Sequence, residues 1–137
     1  MTYLDSNIFI YAIGNKLAKG EESRNILQKI VSGEIEAQTC TLTWDEFIYV
    51  VRKNFGRELS VIEGKKFLNF PSLNWIIVDK KTVDKAQELI EKYNLKPRDA
   101  IHAASAIINK IPTIITDDSD FDKIKELKRI HPENFKV

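Results

Sequence analysis

Short runs of apolar and β-branched residues, separated by helical sequence, constrain this chain more than any other feature. The runs are Thr2–Asp5, Ile35–Cys40, Asn74–Val78, Pro112–Thr116 and Lys128–Ile130. Between them the apolar period changes from two to about 3.6. Glu21–Val31 places Ile26, Leu27, Ile30 and Val31 on one face and stops at Gly33; Val83–Tyr93 does the same with Val83, Ala86, Ile90 and Tyr93. Further helices are expected through Ile8, Phe9 and Ala12, over Trp44–Asn54 (ending near Gly56) and over Val61–Asn69, where Ser60 and Glu63 have capping-box spacing. Pro97 suits a helix start, and Asp99–Asn109 is apolar nearly all round, so that helix should be buried. A short helix is expected near Phe121–Lys125. Strands joined through helices pair in parallel, with helices on both faces, which predicts a three-layer α/β/α sandwich.

The chain has 137 residues and no Pro/Gly-rich linker or repeat, so one domain over residues 1–137 is expected. Lys+Arg number 21 and Asp+Glu 20, a net charge of +1, which neither demands nor excludes a nucleic-acid partner. With one cysteine, Cys40, and two histidines, neither an intrachain disulfide nor a Cys/His zinc site can form. No secretory signal and no stretch of transmembrane length is visible, and a cytoplasmic location away from the membrane is expected.

Four acidic signatures lie where strands give way to helices or helices begin. They are Tyr3-Leu4-Asp5-Ser6-Asn7, Thr43-Trp44-Asp45-Glu46-Phe47, Pro97-Arg98-Asp99-Ala100-Ile101-His102-Ala103-Ala104 and Thr116-Asp117-Asp118-Ser119-Asp120-Phe121. Each carboxylate has a structural alternative. Asp5 or Asp118 could cap a helix, Thr43 with Glu46 could form a capping box, and Asp99 could complement a helix dipole. Jointly, however, they come to one edge of the sheet, the edge at which open parallel sheets bind ligands. Carboxylates gathered there repel one another unless a cation sits between them. Asp79 also follows a strand but lacks the polar surroundings, and it is expected at a sheet edge away from the crevice. Oxygen ligands alone favour Mg²⁺ or Mn²⁺, and with them phosphate chemistry.

The spacing Asp5…Glu46…Arg98-Asp99-Ala100-Ile101-His102-Ala103-Ala104…Thr116-Asp117-Asp118-Ser119-Asp120-Phe121 resembles a PIN domain, and within that family the VapC type of nuclease toxin. The resemblance covers essentially the whole chain. It implies a central parallel sheet of order 3-2-1-4-5 and a metal-dependent endoribonuclease that leaves a 5′-phosphate and a 3′-hydroxyl. Asp5, Glu46 and Asp99 match the first three family acids, and Asp118 and Asp120 match the fourth motif; Asp117 ranks lower. Asp5 and Asp99 are first choices as direct ligands, with Asp118 and Asp120 holding a second ion directly or through water. Glu46 could ligate or activate the attacking water. Asn7 and Thr116 match recurrent polar positions and should orient carboxylates. Asp45 should be a bystander, about 100° round the helix from Glu46. His102 shares a helix face with Asp99. It is read as a packed histidine with one hydrogen bond, with a catalytic base as the alternative.

Lys16, Lys19, Arg52, Lys53, Arg57, Lys96 and Arg98 are candidates for gripping RNA, and Phe9, Tyr11 and Trp44 for stacking bases or for the core. The toxin resemblance further implies an antitoxin partner, and a homodimer is expected. Ile10, Ile13, Phe47 and Val50 could serve dimerisation, partner binding or the core. Two other readings compete. A receiver-like phosphoacceptor would need an acidic pair after the first strand, where this chain has only Asp5. A catalytically silent PIN-like binding module would be marked by loss of acids, and all the expected ones are present.

Overall fold

The computed structural model describes residues 1–14 and 18–135. Its strands are β1 (Thr2–Leu4), β2 (Ala37–Cys40), β3 (Leu73–Ile76), β4 (Thr113–Ile115) and β5 (Lys128–Ile130). The α-helices are α1 (Ser6–Gly14), α2 (Ala18–Val31), α3 (Thr41–Phe55), α4 (Arg57–Leu68), α5 (Lys80–Lys92) and α6 (Pro97–Ile108). Two 3₁₀ turns, Ser119–Lys123 and Pro132–Asn134, flank β5. All strands pair in parallel, in the order β3-β2-β1-β4-β5, as anticipated.

The pleat of the sheet explains the two cores. Tyr3 and Leu4 are adjacent, so their side chains leave opposite faces, as do those of Ile114 and Ile115. Tyr3 and Ile114 pack with Leu89, Ala100, Ala103 and Phe121, beneath α5 and α6. Leu4 and Ile115 pack with Ile8, Ile26, Ile30, Phe47, Val51 and Phe67, beneath α1 to α4. Small alanines on α6 let that helix lie close on the sheet, and Ala100, Ala103, Ala104 and Ala106 are wholly buried. Among the described residues no helix is long and apolar enough to cross a membrane.

Two expected caps do not form. Helix α3 begins at Thr41, directly after β2, with Cys40 as its N-cap. Thr43 therefore lies inside the helix and hydrogen-bonds Thr39 at 2.6 Å, and Glu46 is free to reach elsewhere. Gly56 adopts φ 94°, a conformation that glycine enters without a Cβ penalty, and turns the chain from α3 straight into α4. Helix α4 consequently starts at Arg57, Ser60 donates back to the Arg57 carbonyl at 2.6 Å, and Glu63 pairs with Lys66. Asp79 caps α5 in a reciprocal box with Thr82, beside the edge strand β3, away from the other acids. Phe47 is core, while Ile10 and Ile13 pack partly buried against the same cluster.

Candidate active site

The β1–β4 ladder continues one residue past β1, because the Asp5 amide donates to the Ile115 carbonyl at 3.2 Å. That bond fixes Asp5 at the carboxyl edge of the central strand. Its Oδ1 accepts from the Ser6 amide at 2.7 Å and its Oδ2 from the Thr116 hydroxyl at 2.8 Å. Burial raises the Asp5 pKa; His102, Thr116 and Ser6 oppose that shift, while Glu46 adds to it.

Thr116 organises the end of β4. Its hydroxyl also accepts from Asn7 Nδ2 at 2.9 Å and from the Asp118 amide at 3.1 Å. Asp118 in turn caps the following 3₁₀ turn by accepting from the Asp120 amide at 2.9 Å. Asn7 and Thr116 thus hold Asp5 and the 118–120 loop in one frame. Asn7 Oδ1 is a buried acceptor without a hydrogen-bond partner among the described residues. Its amide orientation is set by Asp117, which accepts from Nδ2 at 2.8 Å.

Helix α6 brings two further groups. Asp99 sits in its first turn, and His102 lies one turn on, completely buried. His102 Nε2 is hydrogen-bonded to the Glu46 carboxylate and lies 3.6 Å from Asp5 Oδ1. Its Nδ1 is 2.6 Å from the Tyr3 hydroxyl and 3.7 Å from Cys40 Sγ. The expectation of a packed histidine with one hydrogen bond was too simple: His102 joins the core tyrosine to two of the acids. Burial alone disfavours its cationic form, but Tyr3, Cys40, Glu46 and Asp5 outweigh it and raise its pKa well above the ordinary value. Burial pushes the Tyr3 hydroxyl up. For the Cys40 thiol, burial is outweighed by His102 and Tyr3, and its pKa falls to about 7.

The acids form two groups. Asp5, Glu46 and His102 present ligand atoms within 4.8 Å of one another, as do Asp99, Asp118 and Asp120. The first group carries its own compensating imidazole. In the second, Asp120 pairs with Lys123 at 3.6 Å, whereas Asp99 and Asp118 have no ion-pair partner among the described residues. Asp99 feels that shortage: burial first, then Asp118, Asp5 and Asp120, push its carboxyl up to about 6, against the pull of His102. Hard oxygen donors converging with only Lys123 at their edge to offset them fit Mg²⁺ or Mn²⁺. Asp99, Asp118 and Asp120, with Asp5 behind them, are the residues able to hold such an ion.

The remaining candidates separate clearly. Asp117 turns towards the first two helices, accepting from Asn7 and from the Tyr11 hydroxyl at 3.0 Å and pairing with Lys19 at 3.1 Å. Burial and Asp117 push Tyr11 up to about 12. Asp45 is exposed. Phe9 is core, stacked on Phe67 with centroids 4.5 Å apart, so it offers no platform for a base. Trp44 is partly exposed and lines an apolar cavity with Thr41, Leu68 and Trp75. Lys96 and Arg98 line a cavity of about 480 Å³ with Glu46, Pro97 and Asp99. Arg52 and Arg57 line a separate one beside Trp44. Lys16 lies outside the described residues.

A parallel three-layer sandwich with acids gathered at the carboxyl edge of its sheet defines the class. Within that class, the PIN domain profile matches residues 2–127, and the chain belongs to the PIN-domain family. Comparison with curated protein sequences finds no match. Among solved structures, a toxin-antitoxin complex from Klebsiella pneumoniae matches at 21% identity and TM-score 0.71, covering 96% of this chain and 98% of that one. VapBC2 from Rickettsia felis, bound to a DNA fragment from its promoter, matches at 24% identity and TM-score 0.73, with coverages of 96% and 98%. VapC20 from Mycobacterium tuberculosis, described as a sarcin-ricin loop cleaving toxin, matches at 12% identity and TM-score 0.75, with coverages of 89% and 93%. At these identities the likeness establishes the fold.

Proposed function

We propose that this chain is a divalent-metal-dependent endoribonuclease, the toxin of a toxin-antitoxin pair, acting in the cytoplasm. What supports the proposal is a pair of acidic groups, Asp5 and Glu46 with His102, and Asp99 with Asp118 and Asp120, of which Asp99 and Asp118 lack an ion-pair partner among the described residues and Asp99 feels the charge of Asp5. The structural neighbours support the toxin reading, being toxin-antitoxin complexes and a sarcin-ricin loop cleaving toxin. By the same analogy, the chain pairs with an antitoxin protein, and a homodimer remains the expectation from its sequence.

Asp5, Asp99, Asp118 and Asp120 would hold Mg²⁺ or Mn²⁺, which when bound would supply Lewis-acid activation of water and offset charge at the phosphate. Thr116 and Asn7 keep the Asp5 carboxylate aimed into the crevice. Glu46, held by His102, takes a proton from the attacking water. The water oxygen bonds to phosphorus in line with the leaving O3′. The P–O3′ bond breaks and O3′ takes a proton from solvent, leaving a 5′-phosphate and a 3′-hydroxyl, while Glu46 returns its proton to solvent.

The test is cleavage of a structured RNA pool by wild type and Asp99→Asn, with Mn²⁺, with Mg²⁺ and with EDTA. Cutting by wild type that needs metal and disappears in the variant is the expected result. Equal cutting by both proteins, or cutting that persists in EDTA, would refute the assignment.

A further inference from the structure

A crevice that gathers five carboxylates repels the phosphates of RNA, so some part of this surface must offset that field. Most cations near the crevice are already committed. Lys19 pairs with Asp117 at 3.1 Å, Lys123 with Asp120 at 3.6 Å and Arg129 with Asp122 at 2.9 Å, and His102 is bound to Glu46. Lys96 and Arg98 differ. Both side chains are exposed and share a cavity with Glu46 and Asp99, yet neither makes an ion pair among the described residues. They bracket Pro97 at the amino end of α6, where Lys96 is the N-cap and the proline ring fixes the backbone between them. The positive end of the helix dipole adds to their charge.

We propose that Lys96 and Arg98 form a phosphate subsite, which holds the backbone phosphate next to the one cleaved in a single-stranded RNA. The inference rests on the ribonuclease reading for its ligand. Asp99 follows Arg98 directly, so a backbone gripped here is led into the acidic groups. A planar guanidinium and an ammonium together suit a phosphodiester, the first by paired donors and the second as a point charge. The subsite contributes grip and register, with no part in bond breaking.

The test reads salt dependence of binding in EDTA, where nothing is cut. Anisotropy of fluorescein-labelled oligouridylate is titrated with the full chain, the double variant Lys96→Gln/Arg98→Gln, and a control of equal charge loss, Lys110→Gln/Lys128→Gln. The control lysines precede β4 and begin β5, at the opposite edge of the sheet. Each lost phosphate contact on a single strand lowers the slope of log K against log salt by about 0.7. The pair holds one phosphate, so the double variant should lose about 0.7 of slope, and its affinity deficit should shrink about 2.6-fold between about 50 and about 200 mM salt. The control should keep the wild-type slope. Equal loss in both doubles, or no loss in either, overturns the subsite. Intact metal-dependent cutting with an unchanged slope overturns the subsite alone. Slope loss in a protein that cuts no RNA keeps the subsite and overturns the nuclease reading.

Discussion

Asp99→Asn should stabilise the metal-free protein while abolishing its response to metal. Burial, and then the neighbouring carboxylates of Asp118, Asp5 and Asp120, raise the Asp99 carboxyl from its ordinary 3.8 to about 6. A carboxyl that holds its proton more tightly in the fold than in the unfolded chain favours folding at low pH. That advantage drains away as pH rises from the unfolded value through the folded one. At about 1.4 kcal/mol per pKa unit, the ionised Asp99 costs the fold at most about 3 kcal/mol near neutrality. Asp99 is only half-buried, and solvent screening reduces that ceiling to about 1–2 kcal/mol. Asparagine removes this cost but forfeits about 0.3–1 kcal/mol of helix-dipole stabilisation in the first turn of α6. The net gain of about 1 kcal/mol corresponds to a melting temperature about 2–4 °C higher for a chain of this size. Circular-dichroism melts in EDTA should show this gain at about pH 7.5 and none below about pH 4, where Asp99 is protonated in both states. Adding Mn²⁺ should raise the wild-type melting temperature by binding only the folded state, and leave the variant unmoved. A variant that melts at or below wild type in EDTA at neutral pH would refute the reasoning, as would a gain of the same size at both pH values.

Other substitutions test the frame around the acids. Tyr3→Phe removes the hydroxyl that meets His102 Nδ1 at 2.6 Å and leaves that buried nitrogen only the weak Cys40 sulfur. Urea unfolding should show a loss of about 1–3 kcal/mol. The kcat should fall at constant KM as Glu46 loses its fixed partner, and unchanged stability would contradict the buried bond. Thr116→Val keeps the shape but removes the donor to Asp5 and the acceptor for Asn7 and the Asp118 amide. Calorimetric Mn²⁺ affinity should drop about 10–100-fold, and an unchanged affinity would detach Thr116 from the site. Asp79→Ala breaks the cap of α5 and should cost about 1 kcal/mol with RNA cleavage intact. Reduced cleavage would mean that Asp79 is nearer the chemistry than its place beside the edge strand suggests.

The sheet was legible because its signals are local and repeated. Apolar runs such as Ile114–Ile115, separated from the other strands by helical sequence, leave little freedom beyond parallel pairing. The family resemblance pointed to the acids of the fourth motif and to Thr116 and Asn7 as residues that orient carboxylates, and both of the latter hydrogen-bond Asp5. What stayed hidden depends on residues far apart in sequence. The spacing of Asp99 and His102 places them on one helix face, but nothing local reveals that Tyr3, 99 positions away from His102, supplies its second partner. Thr43 and Glu46 fit a capping box in sequence, yet α3 begins at Thr41 because no loop separates it from β2. Ser60 and Glu63 were misread for a similar reason, since Gly56 starts α4 before Ser60. The cations were indistinguishable until the cavity shared with Glu46 and Asp99 set Lys96 and Arg98 apart.

The position of β1 also governs when the protein can work. Thr2–Leu4 lies at the middle of the sheet, between β2 and β4, and its pairing with Ile114 and Ile115 spans more than a hundred residues. A contact of such long range is slow to form and waits on everything between. During synthesis, β1 can meet β2 early, but the far side of the sheet stays open until β4 leaves the ribosome. Asp118 and Asp120 emerge only after that. A nascent chain therefore lacks the complete acidic crevice through most of its translation, and the crevice closes only when the last strands pair.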